Sequence, residues 1–214
     1  IAHGWSSTIN DWNHIELLLK NSGYIVVNIP FPGLDNKTHI NIMLERVWGI
    51  PEYSEYVKNI IISEEKKYSP KEIIFIGHSF GGRIGLYIGS HYPGIFTKLI
   101  LTSSAGINSK VRFKTKLLAI FAKFLKILPI PLKLKEDIRH ILRKKFTYDG
   151  YSRLDNLMRE VFQKVVNLDL REDISRIKIP TIIIWGREDK VTPLWMAEFI
   201  HTKIKGSSLK IIDN

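Results

Sequence analysis

The residues Gly77-His78-Ser79-Phe80-Gly81-Gly82 carry the spacing Gly-x-Ser-x-Gly, and it is here that the chain offers covalent chemistry. Ile73 to Ile76, just before, form an apolar run that reads as a buried strand. Phe80 to Tyr92, just after, are rich in small and apolar residues and read as a helix. A strand that enters a helix through so short a turn strains its central residue and holds that side chain out, the arrangement known as a nucleophile elbow. Gly77 and Gly81 are required because any side chain at either position would collide across the turn. Ser79 is therefore the candidate nucleophile. It stands at a helix N-terminus, where free N–H groups and the helix dipole favour developing negative charge.

The elements around the elbow follow from periodicity and breakers. His3-Gly4-Trp5 and a polar turn lead into a helix from about Asp11 to Asn21, with Ile15, Leu18 and Leu19 as its apolar face and Ser22-Gly23 as its stop. Tyr24 to Ile29 reads as a strand, ended by Pro30-Phe31-Pro32-Gly33. A helix is expected from about Pro51 to Tyr68, then the elbow, then a short strand from Lys98 to Thr102. Such alternation predicts parallel strands joined by right-handed helical crossovers. It stops after Gly106, where the pattern is helical to about Leu170. It resumes with a strand from Thr181 to Trp185, a helix from about Pro193 to Lys205 and a strand from Ser208 to Ile212. The expected organisation is an α/β core from residues 1–106 and 171–214, with residues 107–170 as a helical insertion.

A chain of 214 residues suits one domain with a substantial core. Its apolar runs are far shorter than the roughly 20 residues of a membrane-spanning helix. With no cysteine there is no disulfide, thiol nucleophile or thiolate site, which leans toward a reducing, cytoplasmic setting. Ile1-Ala2-His3-Gly4 reads as the end of a strand already under way, so the chain is expected to be incomplete at both ends, and a signal peptide could have been lost from the first. The net charge of +11 is concentrated between Lys110 and Phe146, where 12 Lys or Arg face two acids, Glu136 and Asp137. Nothing of the H-E-x-x-H or G-x-x-x-x-G-K type is present, so neither a metal nor a nucleotide cofactor is expected.

Three separated motifs agree in order and spacing: His3-Gly4-Trp5, the elbow, and Trp185-Gly186-Arg187-Glu188-Asp189-Lys190-Val191-Thr192-Pro193 after a late strand. By these the sequence resembles the α/β-hydrolase superfamily, in particular its small esterase-like members. The resemblance implies an α/β-hydrolase fold, a mostly parallel sheet flanked by helices with an inserted helical cap. It also implies a triad in the chain order Ser, acid, His. Ser79 carries over as nucleophile and Asp189 as the acid, with Glu188 its nearest rival. The backbone N–H groups of Trp5 and Phe80 carry over as the oxyanion hole. The family places its histidine after the last strand, so it is expected within about half a dozen residues beyond Asn214, and the fragment alone is expected to be nearly inert. Among the seven histidines, His3 and His78 match structural or pocket-lining positions, and His14, His39 and His140 fall on polar faces or loops. His91 ends the elbow helix, and His201 lies before the last strand rather than after it. Pro30-Phe31-Pro32-Gly33-Leu34-Asp35 departs from the family's Asp-x-Pro-Gly-x-Gly and lacks its polar anchor.

The implied function is a cofactor-free serine hydrolase cleaving small-molecule carboxylic esters. The same fold leaves open a carbon-carbon bond hydrolase, a lipase, or a non-catalytic ligand-binding relative. In the insertion, Phe113, Leu117, Phe121, Phe124 and Leu128 recur at helical steps beside Lys114, Lys116, Lys123 and Lys126. An ordinary cap helix fits this pattern best; a lid admitting an apolar acyl chain and a contact with an anionic membrane surface are the alternatives. Tyr148, Tyr151, Arg159 and Phe162 are further candidates to line the pocket. Nucleic acid is not expected, because a lysine face without stacking aromatics or a reading motif does not make such a site.

Overall fold

The structure, a computed structural model, describes residues 1–5, 7–34, 44–108 and 154–213. The chain divides into two compact units, Ile1–Ile107 with Glu160–Asn214, and Asn108–Arg159. Residues 160–170, which the sequence pattern assigns to the end of the insertion, lie in the first unit. The basic window from Lys110 to Phe146, with Tyr148, Tyr151, His39 and His140, lies outside the described residues.

Four strands form the sheet of the first unit: β1 (Ile74–His78), β2 (Lys98–Thr102), β3 (Thr181–Gly186) and β4 (Ser208–Ile212). They pair in the order β1-β2-β3-β4, every pair parallel, in a register that aligns Gly77, Leu101, Ile183 and Leu209 across the sheet. Ala2 adds a parallel bridge on the free side of Gly77, and Ile29 another beyond Ala2. Because all of these run the same way, the turns after Ala2, β1, β2 and β3 open at one edge of the sheet. That edge, at the carboxyl ends of the strands, is where open α/β sheets hold their sites.

Helix α1 (Asn13–Asn21) precedes the sheet, and α2 (Ile50–Tyr68) leads into β1. The elbow helix α3 (Phe80–His91) lies close against the sheet because its contact face is stripped to glycine. A Cβ on Gly85 would stand 2.7 Å from the Phe75 ring and 3.0 Å from Leu99 Cδ1. Ile84, Leu86 and Ile88 are wholly buried around it. Helix α2 covers α3 with Tyr53, Val57 and Ile61, which stand four residues apart on one face.

Two expectations change. Tyr24 to Ile29 is not a ladder, since only Ile29 bridges, to Ala2. A strand needs a partner along its length, and among the described residues only Ile1 and Ala2 bond alongside; Tyr24 and Ile25 remain exposed. Residues Ile9–Trp12 form a 3-10 turn, with the Thr8 N–H donating to Asp11 Oδ2 at 2.7 Å, before α1 begins. The apolar side chains of α1 are not buried, and Ile15, Leu17 and Leu18 face solvent. A cavity of about 540 Å³, walled by Val27, Ile60, Phe75 and Ile100 among others, opens between the 24–29 stretch and the start of β1. It is not lined by Trp5, Ser79, Phe80 or Asp189 and plays no part in the site.

Asp155 Oδ1 accepts the Met158 N–H at 2.7 Å and so starts α4 (Asn156–Asn167), whose residues up to Arg159 belong to the second unit and whose residues from Glu160 belong to the first. The last helix, α5 (Trp195–Lys203), packs between β3 and β4. Among the described residues no helix is long and apolar enough to cross a membrane.

Candidate active site

Ser79 sits between β1 and α3 at φ 50° and ψ −106°, a conformation that an L-residue adopts only under constraint. The constraint is visible. The Ser79 N–H donates to Thr102 O at 3.1 Å, and Ser79 O accepts from Ala105 N–H at 2.9 Å and Arg83 N–H at 3.1 Å. The elbow is thereby clamped to the turn that follows β2. On its other side Gly81 N–H donates to His3 O at 3.0 Å. A Cβ on Gly77 would lie 2.6 Å from Gly81 O, so the turn closes only over glycine.

The His3-Gly4-Trp5 turn lies directly against the serine, for a Cβ on Gly4 would come 3.4 Å from Ser79 Cβ. Among the described residues neither the Trp5 N–H nor the Phe80 N–H meets an acceptor. The Trp5 ring packs edge-on against Phe80 at 5.5 Å and Phe162 at 5.1 Å. Two unspent donors beside a half-buried serine are what an oxyanion requires.

Asp189 occupies the turn after β3. Its Oδ1 accepts the N–H groups of Val191 and Thr192, each at 2.8 Å, and its Oδ2 accepts the Thr192 hydroxyl at 2.8 Å. Burial is the largest single influence on this carboxyl and pushes its pKa up. The donations from Thr192, Ser103 and Val191 together outweigh it and hold Asp189 below the ordinary carboxylate range. The turn is anchored from beneath by buried Trp185, whose indole Nε1 donates to Thr192 O at 2.6 Å. Ser103 ties the two turns together: its N–H donates to Ile184 O at 3.1 Å, and its carbonyl lies 3.3 Å from Thr192 Oγ1. Glu188 is exposed on the same turn. The motifs alone do not single out Thr192 or Ser103 as partners of the acid; the one signal is the Asp-x-x-Thr spacing, a side-chain turn. Replacing Thr192 by valine keeps the shape but removes a hydrogen bond to a charged group, a loss of about 2 kcal/mol. Thermal unfolding of T192V should show Tm lowered by about 5 °C.

No histidine ring among the described residues hydrogen-bonds Asp189. His3 is buried, donates from Nδ1 to Gly4 O at 2.8 Å and meets Phe31 edge-on at 5.0 Å. His91 stacks on Tyr87 at 4.0 Å, and His201 Nδ1 lies 2.9 Å from Ser207 Oγ. The end of β4, after which the histidine is expected, runs beside the Asp189 turn. Arg187 N–H donates to Ile212 O at 3.0 Å, and its Nε bonds Asp213.

His78 is depressed chiefly by burial and further by His3, against an opposing pull from Asp189. Its folded form therefore binds fewer protons than the unfolded chain, whose value is about 6.5. The stability tied to His78 is complete above that pH and falls as pH drops toward the lowered folded value. Asp189 acts further down: its contribution is present above about 3.9 and is lost as pH falls through its own lowered value. Tm should accordingly decline as pH drops below about 6.5, and decline less steeply in H78Q.

A family model described as serine aminopeptidase S33 (Hydrolase_4) matches residues 1–214. Monoacylglycerol lipase ABHD6 of Mus musculus is 26% identical over 237 residues, covering 100% of this chain and 68% of that protein. Pimeloyl-[acyl-carrier protein] methyl ester esterase of Wigglesworthia glossinidia brevipalpis is 27% identical over 217 residues, covering 90% of this chain and 74% of that protein. Among solved structures, the esterase EaEST from Exiguobacterium antarcticum superposes with a TM-score of 0.68 at 20% identity, over 98% of this chain and 81% of that one. The strained serine, the parallel sheet and a match along the whole chain agree, and the protein belongs to the serine aminopeptidase S33 family of α/β hydrolases.

Proposed function

We propose that this protein is a serine hydrolase of small-molecule carboxylic esters. Ser79 Oγ attacks the ester carbonyl, the developing oxyanion rests between the Trp5 and Phe80 N–H groups, the alcohol leaves, and water cleaves the acyl-enzyme by the same route. Asp189 orients a histidine and stabilises it as imidazolium, and that histidine comes from the segment after β4. The observation that carries the reading is the Ser79 turn, held at positive φ with two unspent N–H donors beside it. A protein that only binds a ligand has no use for that strain. The two relatives named above differ in substrate, but both act by name on carboxylic esters, which supports the choice of bond.

The test is labelling by a fluorophosphonate in protein expressed from the complete reading frame, with the modified residue identified by mass spectrometry. Modification at Ser79, blocked by prior addition of an ester and lost in S79A, is the expected result. Absence of labelling in folded protein would favour the ligand-binding alternative.

A further inference from the structure

Arg83 is a charged residue only 5% exposed, one turn past the nucleophile on α3. Its backbone N–H is bonded to Ser79 O, and its guanidinium Nη1 donates to two carbonyls at the C-terminal end of α4, Val165 O and, at 2.9 Å, Leu168 O. A cation at that end of a helix satisfies carbonyls that have no partner within the helix and opposes the negative end of its dipole. The position of α4 is thus tied, through one side chain, to the turn that carries Ser79. Val161 and Val165 are buried on α4. Phe162, three residues before Val165 and so on the same side of the helix, rests half-buried against the Trp5 ring. Trp5 in turn supplies one of the two N–H groups assigned to the oxyanion.

We propose that Phe162 is the wall that sets acyl-chain preference, and that Arg83 is the positioning residue that holds it there. This rests on the serine hydrolase reading. After the alcohol departs, the acyl group stays on Ser79 with its carbonyl oxygen at the Trp5 and Phe80 N–H groups. A ring packed on Trp5 therefore borders the part of the substrate that remains. Burying or excluding a methylene or two against such a wall changes discrimination by about tenfold or more.

The experiment compares p-nitrophenyl esters from acetate to decanoate, and a second series varying the alcohol of one acyl group, in wild type, F162A, F162L, R83M and R83K. Expected for F162A is a rise of about tenfold in the decanoate-to-butyrate ratio of kcat/KM, carried mainly by KM. R83M should shift the profile in the same direction, R83K should restore part of it through one retained hydrogen bond, and adding F162A to R83M should change the ratio no further. F162L, half-exposed and conservative, keeps the test open if R83M does not fold. An active, Ser79-labelled enzyme whose acyl profile is the same in F162A, F162L and wild type overturns this inference alone, as does a shift confined to the alcohol series. Wild-type protein that is neither labelled nor active on any ester overturns the serine hydrolase reading and this inference with it.

Discussion

G81A is expected to lose the native fold, because the backbone beside position 81 leaves no room for a methyl group. An alanine Cβ at position 81 would lie 2.0 Å from Ala2 O and 2.4 Å from Ala2 C, both backbone atoms. Neither can move freely. Ala2 bridges Gly77 on one side and Ile29 on the other, its N–H donates to Ile76 O at 2.8 Å, and its carbonyl accepts from His78 N–H at 3.0 Å. Relief therefore requires either breaking those bonds or lifting α3 from the sheet, where Gly85 already rides against Phe75. The cost should exceed about 4 kcal/mol, the range reserved for core disruption. Calorimetry should show Tm lower by about 10 °C or more, or insoluble protein. G186A is the matched control: nothing lies within 4 Å of a Cβ at Gly186, and its Tm should hardly change. A G81A protein with wild-type Tm would mean that the His3-Gly4-Trp5 turn does not lie against the elbow.

The contrast between these two glycines explains what could be read from the chain. The elbow was legible because its requirements are local: Gly77 and Gly81 answer to atoms within four residues or to the one strand beside them. The same holds for β2 and β4, whose observed limits are those expected. Tyr24 to Ile29 and the apolar face of α1 were over-read for one reason. Apolar periodicity reports that a face is suited to burial, whereas what covers that face is decided by distant parts of the chain. The place of Asp189 in the turn after β3 was legible but not its setting. Thr192 and Ser103 reach Asp189 only because β2 and β3 are neighbours, and Trp185 anchors the turn through an indole that looks, in sequence, like any core aromatic. Arg83 is the plainest case. Within an apolar helix it reads as an isolated charge, and its partners, Val165 O and Leu168 O, lie more than 80 residues away.

S79A should abolish ester hydrolysis while leaving the fold intact, and S79G should separate the two properties further. Removing a nucleophile that acts together with its base and acid costs about 10⁴ to 10⁶ in kcat in serine hydrolases, leaving only what the oxyanion donors and binding provide. Alanine suffers the same positive φ of 50° as serine, so the strain at position 79 is unchanged and Tm should move little. Glycine adopts that conformation without penalty. Since strain of this kind amounts to about 1–3 kcal/mol, S79G should be inactive yet equal or higher in Tm, despite the entropy glycine adds to the unfolded chain. Stability gained where activity is lost would locate the strain in the catalytic residue itself. Steady-state kinetics with p-nitrophenyl butyrate and calorimetry on the three proteins decide the matter. Residual turnover in S79A within about tenfold of wild type would remove Ser79 from the mechanism. A fall of several degrees in the Tm of S79G would mean that the elbow is held by its side chain rather than by the backbone bonds to Thr102, Ala105 and Arg83.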